Sequence, residues 1–284
     1  MKVKNKMGLP EALVKAVTID RHNKEGEYSA TTLLKDPAEV MLMKRHFDEI
    51  EVDAADSIWA VFGSAVHYIF EKQNDNAFKE ERFEVPVLNS KVTGRVDNYD
   101  MENEILADFK TASIWKVTYN DFGDWRKQGL VYAYLMKKSG LNVKKCRFIA
   151  LLKDHSKSKA KIDSSYPQSP VYVYEFDVTD KDLEEIEKFI FNKVADFEKA
   201  EKIPDEELPA CSKEARWATD DKFAVMKTGR KTAIKLFDNK EEAEKNMAAL
   251  GGTYIEERKG ESRKCLDYCS ACEFCPFYKT LSKN

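Results

Sequence analysis

Three observations make the chain an α/β (α+β) protein. Hydrophobic periodicity is helical through the first third and changes to a period of two near Arg82. Strand and helix patterns then follow one another as βββαββα. After Pro204 the composition shifts, and a small ββαβ unit lies between Cys211 and a run of four further cysteines. The sequence predicts two domains: residues 1–203, the main body with its N-terminal helices, and residues 204–284, the ββαβ insert with the cysteine region. Hydrophobic residues make up 43% and aromatics 11%, enough to bury a core and to exclude disorder as the dominant state.

In chain order, Ser29 and Thr31-Thr32 mark a cap or turn before Leu33-Leu34. Asp36-Pro37-Ala38-Glu39 opens a helix to about Phe47, with Asp36 at the N-cap, Pro37 first in the helix and Glu39 placed to reach back. A longer helix over 54–73 carries Ile58, Phe62, Ala65 and Ile69 on one expected core stripe. Period-two runs predict strands over 82–88, 92–99 and 104–111, the last two joined by a polar turn around 101–103. A helix over 125–138 ends at Ser139-Gly140. Strands over 146–152 and 170–178 follow, joined by a Lys/Ser-rich loop. Thr179 then caps a helix bearing Leu183, Ile186, Ile190, Val194 and Phe197, with Asp182 completing a capping box. In the insert, strands over 222–226 and 232–237 turn about Thr228-Gly229, Asp238 caps a helix to Leu250, and 253–257 form a third strand.

Charge excludes some classes of function. Lys and Arg number 47 against 50 Asp and Glu, a net charge of -3, so this is no histone-like or basic-tail protein. Contact with nucleic acid requires a local basic face. The candidates are the loop with Lys157, Lys159 and Lys161 and the turn with Arg230 and Lys231. Trp115 and Trp125, just before or at the start of the helix over 125–138, offer rings for stacking on bases, and core packing is the favoured reading of both. No apolar run approaches the roughly 18–20 residues of a membrane span, and the N-terminus lacks a signal-peptide pattern, so a soluble cytoplasmic protein is expected.

The strongest chemical signal is the pattern Gly94-Arg-Val-Asp97 followed by Asp108-Phe-Lys110. A turn centred on Glu102-Asn103 sets Asp97 opposite Asp108 on one face of a hairpin, with Lys110 on that face and Ile105, Ala107 and Phe109 facing the core. Two carboxylates so close repel unless a cation lies between them, and an oxygen-only pair suits Mg²⁺ or Mn²⁺. Such an ion polarises a phosphodiester and acidifies a bound water, which an adjacent lysine can orient. Gln128 and Tyr132 share one face of the following helix. His67 and, one turn later, Glu71 sit on the long N-terminal helix; His67 could complete a metal set.

Gly63…His67, Gly94…Asp97, Asp108…Lys110 and Gln128…Tyr132, in that order, resemble the PD-(D/E)XK nuclease superfamily in its RecB-like branch. The resemblance spans about 63–178. It implies a restriction-endonuclease-like core, a mixed central sheet flanked by helices. It also implies a divalent-metal-dependent deoxyribonuclease, with His67, Asp97, Asp108 and the Phe109 carbonyl holding Mg²⁺ or Mn²⁺. Lys110 would serve the attacking water, and Gln128 and Tyr132 would position the strand or support the site. The Tyr166–Pro170 stretch, the Arg216-Trp217…Phe223–Met226 segment and the cysteine-rich tail resemble bacteriophage members. These imply an exonuclease of phage recombination or DNA processing in the host bacterial cytoplasm, with DNA and a phage single-strand annealing protein as partners. A non-catalytic DNA-binding or assembly subunit and a structure-specific endonuclease are the alternatives.

Cys265-x3-Cys269-x2-Cys272-x2-Cys275 packs four thiols into eleven residues, and Cys211 is a fifth candidate. Without a secretion signal, metal binding is favoured over disulfides. RecB-like members that carry a [4Fe–4S] cluster use one distant cysteine and a C-terminal trio ending in Cys-x5-Cys. That resemblance implies Cys211, Cys265, Cys269 and Cys275 as ligands and Cys272 as the spare, with Zn²⁺ as the alternative metal. Cys146, alternating with Phe148 and Ala150, is a core residue.

Overall fold

The computed structural model describes residues 1–18, 25–73 and 78–281. The chain forms two compact units, Met1–Pro204 and Asp205–Asn284. In the first, the strands are β1 (Lys2–Lys4), β2 (Glu27–Ser29), β3 (Glu51–Asp53), β4 (Phe78–Val87), β5 (Ser90–Asp100), β6 (Ile105–Ala112), β7 (Lys145–Leu152) and β8 (Val171–Asp177). The helices are α1 (Glu11–Val17), α2 (Pro37–Arg45), α3 (Ile58–Glu71), α4 (Ile114–Thr118), α5 (Gly123–Lys138), α6 (Lys157–Ile162) and α7 (Asp180–Ala200).

A six-stranded mixed sheet organises this unit. Its order is β2-β5-β6-β7-β8, with β4 also paired to β5; β2–β5 and β6–β7 are parallel and the other pairs antiparallel. Helices α5 and α7 pack together, and α5 also packs on the sheet, whereas α3 packs on β6. This is the α/β architecture with a mixed, helix-flanked sheet that the sequence predicts. Phe148 and Cys146 of β7, Leu135 and Met136 of α5 and Ile190, Val194 and Phe197 of α7 are fully buried. The Thr179–Asp182 capping box is complete: the Thr179 hydroxyl accepts the Asp182 N–H, and the Asp182 carboxylate accepts the Thr179 N–H at 3.0 Å.

Several local expectations are corrected. The N-terminal third is not wholly helical, because β1 and β3 pair in parallel and β2 joins the central sheet; three-residue strands are too short to print a periodicity. Asp36 stands at the N-cap of α2 without capping it, since its carboxylate faces Lys193 of α7 at 3.3 Å. Residues 54–57 form a 3-10 turn before α3. The expected stripe of α3 faces outward, with Phe62 43% and Ile69 56% exposed. Its packed face is Gly63, Val66, His67 and Phe70, where the Phe70 ring stacks on Phe109 of β6 at 4.3 Å. The helix is apolar nearly all round, so hydrophobicity alone cannot choose the inward face. The Lys/Ser-rich segment after β7 contains α6, capped by the Ser156 hydroxyl.

Gly94 of β5 explains how closely α5 lies on the sheet. A Cβ there would fall 2.8 Å from side-chain carbons of both Leu135 and Tyr132. Gly94→Ala is therefore expected to lower stability by about 1–3 kcal/mol through overpacking, readable as a lower midpoint in thermal denaturation.

In the second unit, β9 (Lys222–Met226) lies between β10 (Lys235–Phe237) and β11 (Tyr254–Arg258), both antiparallel to it. Helix α8 (Lys240–Met247) covers this sheet through Ala243 and Met247, around Val225 and Phe237. Its cap is Asn239, one residue later than expected; the Asn239 side chain accepts the Glu242 N–H at 2.8 Å. Helices α9 (Arg263–Asp267) and α10 (Pro276–Leu281) bracket the last three cysteines. No described helix is long and apolar enough to cross a membrane.

Candidate metal and catalytic site

The β5–β6 hairpin builds the site. Its ladder pairs Asp100 with Ile105, Tyr99 with Leu106 and Asn98 with Ala107, and a continued register brings Asp97 opposite Asp108. At that step the Asp97 carboxylate accepts the Phe109 N–H at 2.8 Å. Burial along β5 also changes phase here: Val92, Gly94 and Val96 are buried, then Tyr99. The strands thus part around a carboxylate.

Asp108 is 2% exposed and lies under α5, where Gln128 Nε2 donates to the Tyr132 hydroxyl at 2.9 Å and reaches Asp108 Oδ1 at a long 3.5 Å. Lys110 Nζ approaches Asp108 Oδ2 at 2.6 Å. The Lys110 ammonium is the partner of this buried oxygen among the described residues. Burial, reinforced by the Asp97 charge and opposed by Lys110, pushes the Asp108 carboxyl up to about 6. The face bearing Asp108 is therefore the deeply buried one. Ile105 and Phe109, expected to form the core face, are only half-buried. Both faces of β6 are covered, which strand periodicity alone does not reveal.

On the α3 side, His67 Nδ1 lies 3.2 Å from Asp97 Oδ2. Hydrogen bonding to Asp97 raises the His67 pKa, although burial opposes it. Glu80 of β4 completes a set the sequence reading missed: His67, Glu80 and Asp97 each offer one ligand atom within 4.8 Å of the others. Burial and the Asp97 charge raise the Glu80 carboxyl. Glu80 has φ +52°, at a break in the β4–β5 pairing between Lys79↔Asn98 and Glu81↔Val96. Such a backbone position costs energy in a non-glycine residue. The expected strand began at Arg82, so Glu80 fell outside it; the Glu80-Glu81 pair before the alternating run was the available signal. Asp108 lies outside this close trio but near enough to raise His67 and to be raised by the Asp97 charge.

These donors fit a hard divalent cation: two or three carboxylates on adjoining strands and one imidazole from α3, with the buried Asp108 carboxylate beside Lys110. Glu71 belongs to no ligand trio among the described residues.

The remaining candidates are dispersed. Lys157, Lys159 and Lys161 lie on α6, and no ion pair engages them among the described residues. Arg230 and Lys231 lie just beyond the β9 turn at Gly229. Arg216 ties together the two cysteine-bearing ends of the insert. Its Nε donates to the Cys211 carbonyl at 2.8 Å, its Nη1 to the Ser262 hydroxyl at 3.0 Å, and its own carbonyl accepts the Lys264 N–H at 3.1 Å. Burial raises the Cys265 and Cys272 thiols, and Cys275 adds to the rise of both. Cys146 is fully buried, as expected.

No protein-family model matches the chain, and no curated protein does. Solved structures with a similar fold include SSO0001, 18% identical over 64% of this chain and 83% of that one, with a TM-score of 0.46. They also include the alkaline exonuclease LHK-Exo from Laribacter hongkongensis, at 14%, 62% and 90%, TM-score 0.36. A phage-related exonuclease from Haemophilus somnus is similar at 11%, 57% and 70%, TM-score 0.30.

Proposed function

We propose that the chain is a divalent-cation-dependent deoxyribonuclease of the RecB-like PD-(D/E)XK type, an exonuclease of phage recombination or DNA processing. One observation carries the reading: His67, Glu80 and Asp97 converge beside a buried Asp108 that is ion-paired with Lys110. His67, Asp97 and Asp108 would hold Mg²⁺ or Mn²⁺ with the Phe109 carbonyl, and Glu80 would join them. The bound cation would polarise the phosphodiester and acidify water. Lys110 holds Asp108 ionised and offers its ammonium to the water and to charge developing on the phosphate. Gln128, itself oriented by Tyr132, fixes the Asp108 carboxylate. Lys157, Lys159 and Lys161, with Arg230 and Lys231, contact DNA phosphates.

Cys211, Cys265, Cys269 and Cys275 would hold a [4Fe–4S] cluster that clasps the insert, with Cys272 spare. The Arg216 bridge that sets the two cysteine segments side by side supports this, although no three cysteine sulfurs gather within 4.8 Å of one another among the described residues. A phage single-strand annealing protein is the partner, and the host bacterial cytoplasm the setting.

The test incubates the purified chain with end-labelled linear DNA and closed circular DNA in Mg²⁺ or Mn²⁺. Loss of linear DNA alone is the expected result. Nicked circles would mean an endonuclease, and intact DNA of both forms a binding or assembly subunit. Glu80→Gln is expected to weaken Mn²⁺ binding about tenfold or more by titration calorimetry, since it removes a charged ligand.

A further inference from the structure

Beyond Lys110, β6 continues through Thr111 and Ala112 into α4, and a cavity of about 530 Å³ opens there, walled by Thr111, Trp115, Lys116, Tyr119 and Trp125. Trp125 is buried, as the sequence predicts, but Trp115 is not a core residue: it is 57% exposed and Tyr119 is 73% exposed. Their rings stack on each other at 5.6 Å and 18°. Two large aromatics held stacked in solvent have unspent stacking surface.

The seat is preorganised. Asp154 takes the Ser113 hydroxyl at 2.6 Å and the Ile114 N–H at 2.7 Å, fixing the start of α4. Lys116 reaches Asp124 at 2.6 Å and Asp121 at 3.3 Å with its ammonium over Trp125, so its charge is spent inside the wall. The cations that remain lie along the adjoining segment. Lys153 donates its N–H to the Ala112 carbonyl at 3.0 Å and carries its ammonium 4.2 Å from the ring of Trp59, which is 56% exposed. Lys157, Lys159 and Lys161 follow on α6. The metal site is close: Gly63 faces Thr111, and His67 lies one turn further along the same helix face, about 6 Å.

We propose that this cavity seats an unstacked nucleobase of single-stranded DNA, stacked on the Trp115–Tyr119 pair while Lys153 and the α6 lysines take the flanking phosphates. Every base presents a π-face, so the seat is tolerant of sequence. A base still stacked in a duplex has no free face to offer, so the seat selects single-stranded ends. The identity of the ligand as DNA rests on the nuclease reading.

The test uses the full chain without added metal, so that no cleavage occurs. A labelled single-stranded oligonucleotide is titrated by fluorescence anisotropy against wild type, Trp115→Ala, Tyr119→Ala and Trp115→Phe. An abasic residue is then moved through each position of the strand. Trp115→Ala and Tyr119→Ala are each expected to weaken binding about tenfold, with Trp115→Phe near wild type. One abasic position is expected to cost wild type a similar factor and to cost Trp115→Ala nothing further. Both residues are exposed, so circular dichroism is expected to be unchanged. Unaltered affinity in both alanine variants, or fully additive losses with every abasic position, overturns the base seat. DNA cleavage by wild type is scored in parallel with Mg²⁺. Cleavage without the stacking signature removes the seat and leaves the nuclease reading, and the signature without cleavage does the reverse.

Discussion

Asp108→Asn is expected to abolish DNA cleavage and yet to stabilise the metal-free protein at neutral pH. The carboxyl is 2% exposed and its folded pKa, about 6, lies above the ordinary carboxylate value of 3.8. Between those values the folded chain binds a proton that the unfolded chain has lost. Stability from this group is thus fully present below about pH 4 and falls as pH rises through 6. The full penalty is on the order of 3 kcal/mol. Glu80 and His67, also raised, shift stability in the same direction. Asparagine keeps an acceptor for Lys110 and has no charge to desolvate. Urea denaturation in chelator at pH 5 and pH 8 checks this: the wild type is expected to lose stability between the two, and the variant markedly less. Activity in Mg²⁺ is expected to fall by at least about a thousandfold. A variant that still cuts DNA would remove Asp108 from the site.

The cysteine region carries the second large effect. If a cluster holds the Cys211 segment against the Cys265–Cys275 segment, its binding energy is folding energy for the second unit, for structural metal on the order of 10 kcal/mol. Cys265→Ser is expected to give protein whose second unit is cut rapidly by a nonspecific protease. Cys146→Ser, in the buried sheet of the first unit, is expected to leave the second unit protected. An anaerobically purified wild type is expected to be brown with broad visible absorbance. A colourless preparation with stoichiometric zinc would replace iron–sulfur with the tetrahedral alternative. Equal protease resistance in Cys265→Ser and wild type would show that no metal clasps the insert.

Much of this was legible because it depended on local chemistry. The polar turn between Asp100 and Ile105 sets the hairpin register, and that register brings Asp97 and Asp108 together. Thr179 and Asp182 announce the start of α7, and Ile186, Ile190, Val194 and Phe197 its inner face. What escaped depended on the third dimension. Glu80 reaches the site from a left-handed kink that interrupts β4, and such a kink breaks the alternation by which strands are recognised. The inner face of α3 was misassigned because its outward residues are as apolar as its inward ones. For Trp115 the sequence favours core packing over stacking on bases, whereas the five-residue α4 leaves it in solvent.

The carboxylate that takes the Phe109 amide has a practical corollary. Replacing Asp97 removes a candidate ligand and also strips the acceptor from a main-chain donor in the sheet, so a dead Asp97 variant reports chemistry and architecture at once. Position 108, whose oxygens serve no backbone group among the contacts described, gives the cleaner lesion, and inactive protein for trapping bound DNA is best made there.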